Sequence, residues 1–203
     1  STLGWFKDPI LNTFIDRSEP ELAEVIFHEL GHQRVFARGD TDFNEAFATT
    51  VGQEGARRWL RATGKTNLME KYEIALRRND QFVHLIMSTR EELQKIYGDT
   101  LDKDGKVKAA KTPPLPPAEL KQAKERVFAE LRDKYQQLKT SWGGYAGYDQ
   151  WFARELNNAQ LNTIANYYDF LPAFERLLEI NGNDMEKFYV DVERLSKMNK
   201  DER

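Results

Sequence analysis

Phe27-His28-Glu29-Leu30-Gly31-His32 is an H-E-x-x-H run inside a segment that reads as a helix. Residues four apart on an α-helix lie one turn above each other on the same face, so His28 and His32 can both aim an imidazole nitrogen at one metal ion. Glu29 is rotated about 100° from His28 and stands three residues before His32. Its carboxylate therefore sits beside the metal, where it can take a proton from a coordinated water. The motif has this meaning only on a helix.

The flanking residues supply one. Ser18 precedes Glu19-Pro20-Glu21, which gives a capping serine, a proline in the first turn and a glutamate three residues after the cap. Leu22, Val25, Ile26, Glu29, His32 and Phe36 recur at helical spacing, and Arg38-Gly39 supplies a stop. The helix is predicted from Glu19 to Ala37. The alternative is two surface histidines on an ordinary amphipathic helix.

A zinc site needs a third protein ligand and an open position for water. The chain has three histidines, the last of them His84, and Asp40, Asp42, Glu45 and Glu54 follow the motif closely. Thr41 to Ala48 reads as the start of a second helix capped by Thr41 or Asp42, running to about Ala62 after a turn at Gly39. Two helices joined this tightly run antiparallel, which sets Glu45 opposite His32. Ala48, Thr49 and Gly52 leave room for the approach. His84, between Val83 and Leu85, reads as an ordinary helical histidine.

These residues also carry a family resemblance. Ser1 to Pro9, His28-Glu29-Leu30-Gly31-His32-Gln33, Phe43-Asn44-Glu45-Ala46-Phe47-Ala48, Leu156-Asn157-Asn158-Ala159 and Leu171-Pro172-Ala173-Phe174 together resemble the predicted bacterial zinc aminopeptidases, a gluzincin family. The resemblance spans nearly the whole chain. It implies Zn²⁺ held by His28, His32 and Glu45, with Glu29 as general base and a peptide as substrate. Asn44 to Ala48 is similar to the N-E-G-F-A segment of the large zinc aminopeptidases, with Ala46 in place of glycine. Family members usually carry a further N-terminal region that starts as a lipoprotein signal, so the resemblance implies a periplasmic or membrane-anchored lipoprotein in bacteria.

The rest of the chain is read from its own patterns. Residues 1–17 form an apolar entry, whose first six residues are a candidate edge strand beside the metal. A long helix from Asn67 to Tyr97 ends at Gly98. Residues 99–117 are a polar, proline-rich connector, and Asp102-Lys103-Asp104-Gly105 there is a solvated turn rather than a calcium loop. A second long helix from Ala118 to Lys139 completes a hairpin excursion over 67–140. Ser141 to Trp151 mixes glycines with aromatics, a loop able to adapt around a ligand. Zinc peptidases stabilise a tetrahedral oxyanion with the metal and a nearby donor. Tyr148 is the first candidate for that donor and Tyr145 the second, with Tyr167 and Tyr168 behind. Asn157 and Asn158 open a helix that meets Pro172, and two adjacent asparagines exceed what one cap needs. They are candidates for binding substrate backbone, as is Tyr145. A helix from Asp184 to Lys197 precedes a charged tail.

The 203 residues carry a net charge of −3 spread over many charges of both signs, which argues against nucleic acid as the main partner. With no cysteine there is no thiolate ligand, thiol nucleophile or disulfide. No apolar run reaches membrane-spanning length. The expectation is a mainly α, zincin-like domain with a long protruding helical hairpin and little or no sheet, acting as a zinc metallopeptidase and by resemblance an aminopeptidase. No segment is recognisable as the acidic group that would hold a substrate's α-amine. An endopeptidase of the same class, or a zinc-stabilised helical interaction module without turnover, are the alternatives.

Overall fold

The structure is a computed structural model that describes residues 17–101, 107–112, 114–168 and 170–202. Among the described residues the chain is mainly α. Its helices are α1 (Glu19–Arg34), α2 (Thr41–Ala62), α3 (Thr66–Tyr97), α4 (Pro117–Ser141), α5 (Asp149–Phe152), α6 (Asn158–Tyr168), α7 (Leu171–Ile180) and α8 (Met185–Ser196). Two strands of two residues each, β1 (Thr100–Leu101) and β2 (Val107–Lys108), pair antiparallel between α3 and α4. The chain divides into two compact units, one formed by the chain up to Ala75 and from Asn166 onward, the other by Leu76–Ala165.

In the first unit α1 starts as its sequence dictates. The Ser18 backbone N–H donates to the Glu21 carboxylate at 2.9 Å, and Pro20 occupies the first turn. The helix ends three residues earlier than its periodicity predicts. Val35 is extended, at φ −139 and ψ 137. The cause lies seven residues downstream of Ala37. The Asn44 side-chain amide accepts from the Ala37 N–H and donates to the Ala37 carbonyl, both at 2.8 Å, as a neighbouring strand would. Val35 and Ala37 then bury their side chains with Phe43, Phe47 and Phe188. The cap of α2 also differs from expectation: it is Asp40, whose carboxylate accepts from the Phe43 N–H.

Helices α1 and α2 pack with their backbones unusually close. A Cβ built on Gly52 would lie 2.8 Å from the Glu24 carbonyl oxygen and 3.2 Å from the His28 Cβ, and one on Gly31 would lie 3.3 Å from the Ala48 Cα. A methyl on Gly55 would run into the Phe27 ring. The opposite side of α2 enters the core. Phe43 meets Phe174 of α7 edge to face at 4.9 Å, and Phe47 lies against Phe174 and against Phe188 of α8. Of the kink or restart that Pro172 demands, the chain takes the restart, with Pro172 in the first turn of α7, and it turns at Gly182 with φ 65 before α8. Asp184 caps α8 through the Glu186 and Lys187 N–H groups.

The second unit is organised by aromatic stacking. Tyr135 of α4 stacks on Phe152 at 3.9 Å, and Tyr148 on Phe82 at 4.1 Å. Within the segment from Ser141 to Trp151, Trp142 is buried and Tyr148 half-buried, while residues 143–147 between them are exposed. The Trp142 indole N–H donates to the Gln81 side chain at 2.6 Å, and Arg78 donates to the Trp142 carbonyl at 3.1 Å. The connector likewise holds the small ribbon, closed where the Ala110 N–H donates to the Asp99 carboxylate at 3.1 Å. The turn at Asp102 to Gly105 and the entry segment through Asp16 lie outside the described residues. Among the described residues no helix is long and apolar enough to cross a membrane.

Candidate metal centre

One helical turn separates His28 from His32, and both direct Nε2 to one point, 3.1 Å apart. Their rings stand edge to face at an interplanar angle of 86°. The turn at Gly39, whose φ is 77, and the Asn44 clamp on Ala37 set the first turn of α2 against the last turns of α1. Glu45 thereby brings one carboxylate oxygen to 3.4 Å from the His28 Nε2 and the other to 3.6 Å from the His32 Nε2. The three residues offer ligand atoms that all lie within 4.8 Å of one another, a group that could hold a metal ion.

The electrostatics favour a neutral, ligating imidazole at His32. Burial, with the side chain almost wholly covered, and then the nearby His28 push its pKa below the ordinary histidine value, while Glu45 and Glu29 pull the other way. Among the described residues its Nδ1 has no hydrogen-bond partner. Glu29 is half-buried on α1 beside His28, near enough for its charge to act on His32.

Two contributors escaped the sequence reading. Asn44 is 2 % exposed, and its amide determines where Glu45 begins its helix. Glu24, one turn before His28, accepts the Tyr72 hydroxyl at 2.9 Å. Burial raises the Glu24 pKa above the usual carboxylate range, and the Tyr72 hydrogen bond, His28 and Arg57 offset part of that rise. The spacing of Glu24 from His28 is visible in the sequence. The approach of Tyr72, 48 positions later, is not.

The other candidates have separate duties. Asp40 caps α2 and pairs with Lys200 at 3.3 Å, and Glu54 pairs with Arg58 at 2.8 Å. His84 is exposed and faces Asp80 at 3.5 Å. Tyr145, Tyr148, Asn157 and Asn158 all belong to the second unit, whereas His28, His32 and Glu45 belong to the first. The Tyr148 hydroxyl donates to the Asn79 side-chain Oδ1 at 3.3 Å, and the Arg78 guanidinium lies 4.4 Å over the Tyr145 ring. Asn157 caps α6 by accepting from the Gln160 N–H at 3.0 Å. Asn158 lines a cavity of about 210 Å³ with Arg90, Tyr97 and Asp99.

A family model described as "Putative aminopeptidase" matches residues 1–203 of the chain. No curated protein and no solved structure matches it.

Proposed function

The chain belongs to the "Putative aminopeptidase" family, and we propose that it is a zinc-dependent metallopeptidase of the gluzincin type that removes N-terminal residues from peptides. The observation that carries this reading is the convergence of His28, His32 and Glu45 on one point. Ligand atoms about 2.0–2.1 Å from zinc at tetrahedral angles are spaced by about 3.3 Å. The two Nε2 atoms lie 3.1 Å apart and Glu45 meets each with a different oxygen, at 3.4 and 3.6 Å; with one ligand atom from each residue, the three lie within 4.8 Å of one another. Two imidazole nitrogens and a carboxylate oxygen are also a donor set that zinc accepts in catalytic sites, with one position left open.

Bound zinc would supply Lewis-acid polarisation of the attacking water and of the scissile carbonyl. The chain's own residues do the rest. His28, His32 and Glu45 hold the ion. Glu29 takes a proton from the attacking water on a carboxylate oxygen and later delivers it to the departing amine nitrogen. The family resemblance supports a periplasmic, lipid-anchored setting.

Elemental analysis and turnover together test this reading. Wild-type protein purified without added metal carries close to one zinc per chain, and Glu45→Ala loses it. Glu29→Gln keeps the zinc and loses at least about a hundredfold in hydrolysis of aminoacyl substrates, the lower end of general-base contributions. Zinc retained by Glu45→Ala, or full turnover by Glu29→Gln, overturns it.

A further inference from the structure

We propose that Glu24, held by the Tyr72 hydroxyl, is a positioning residue for the metal centre: a fixed carboxylate one turn below His28 that orients this ligand and strengthens cation binding. The inference rests on the zinc reading of His28, His32 and Glu45.

Three observations meet at Gly52. The Glu24 carbonyl oxygen, the Glu24 Cγ and the His28 Cβ all lie within 3.3 Å of the point that a Cβ on Gly52 would occupy. Glu24 and the base of the His28 side chain thus both lie against the backbone of α2 at Gly52. The Glu24 carboxylate is then kept in place from the other side by Tyr72, which is 4 % exposed and donates its hydroxyl at 2.9 Å. Beyond it, Arg57 is occupied by Glu73 at 2.9 Å, so its charge is shared rather than given wholly to Glu24.

A half-buried carboxylate is costly to desolvate, and a carboxylate without a nearby cation would not be favoured here. In the described structure its partners are one neutral hydroxyl and the more distant charges of His28 and Arg57. A divalent ion on His28 adds a positive charge one helical turn away. The same interaction, read in the other direction, adds affinity for the ion. Groups standing behind metal ligands typically change metal affinity by about ten- to a hundredfold.

The test is the zinc dissociation constant, measured by competition with a chromophoric chelator, alongside the visible spectrum of the Co²⁺-loaded protein and the melting temperature of the metal-free form. Glu24→Gln keeps the size of the side chain and its ability to accept from Tyr72 while removing the charge. It should weaken zinc binding by about tenfold or more and alter the Co²⁺ spectrum. Tyr72→Phe keeps the carboxylate but frees it, and should weaken binding less. Glu130→Gln removes an exposed acid of α4, in the other unit, and should leave binding unchanged. Wild-type zinc affinity and spectrum in both Glu24→Gln and Tyr72→Phe, whatever happens to their melting temperatures, would overturn the proposal. Should Glu24→Gln not fold, an unchanged constant in Tyr72→Phe alone has the same force. A wild-type protein that binds no zinc, or a Glu45→Ala variant that still does, refutes the underlying zinc reading instead.

Discussion

At the scale of single residues, the centre depends on side chains whose charge and hydrogen bonding are dictated by burial. His32 is the clearest case. Folding buries its ring, so the folded protein binds a proton there less readily than the unfolded chain does. Below the ordinary histidine value of about 6.5 the unfolded state therefore takes up more protons, and stability falls with falling pH until the lowered folded value is passed. Metal-free protein should show a melting temperature that drops between pH 7.5 and pH 5.5. His32→Gln should flatten that drop, and an equal slope in the variant would assign the effect to another group. Asn44 acts through hydrogen bonds alone. Asn44→Ala leaves the Ala37 N–H and carbonyl buried without partners, at a cost of about 3 kcal/mol in urea unfolding. Because that clamp sets the start of α2, zinc affinity should fall as well. A loss below about 1 kcal/mol would mean that water replaces the amide.

At the scale of elements, the pairing of α1 with α2 is limited by backbone approach. Gly52→Ala gains helix propensity of about 1 kcal/mol. It also forces a methyl to within 2.8 Å of the Glu24 carbonyl, a backbone atom that moves only with its helix. The clash should prevail, giving a net loss of about 1–3 kcal/mol as in other overpacked sites. His28 shifts with α1, so the variant should also bind zinc more weakly than wild type. A variant that is more stable than wild type in thermal melts would show that the helices separate freely. The legibility of the chain divides along the same line. Long elements were readable because their signals are local: the Ser18-to-Glu21 cap, the α2 stretch to Ala62, the α3 stripe to Gly98 and the restart at Pro172. Glu45 opposite His32 was also legible, since a short turn between two helices leaves little choice of partner. What was not legible depends on side chains that meet across space. The early end of α1 needs Asn44, the anchoring of Tyr148 and Trp142 needs Phe82 and Gln81, and the ribbon needs Asp99. No periodicity encodes such meetings.

At the scale of the whole molecule, the centre lies in one of two compact units, and this has a measurable counterpart. Zinc that binds only the folded state, at a free concentration a thousand times its dissociation constant, adds about 4 kcal/mol. Chelation should lower the melting temperature of the protein. In hydrogen exchange, chelation should speed the amides of α1 and α2, which carry the ligands, and leave those of α4 unchanged. Equal acceleration in both units would mean that they open as a single cooperative body.

The five letters from Asn44 to Ala48 span more than one helical turn, so they point in every direction around α2. Asn44 grips the preceding loop, Glu45 faces the histidines, Ala46 and Phe47 enter the core, and Ala48 lies against Gly31. All five of these side chains are buried or half-buried, so this stretch has no face on which substitutions go unnoticed. A contiguous word in the sequence is the linear trace of that enclosure. Randomising these five positions together should therefore yield almost no folded, metal-binding clones, whereas five consecutive positions on a helix with a free side would keep one or two open to change.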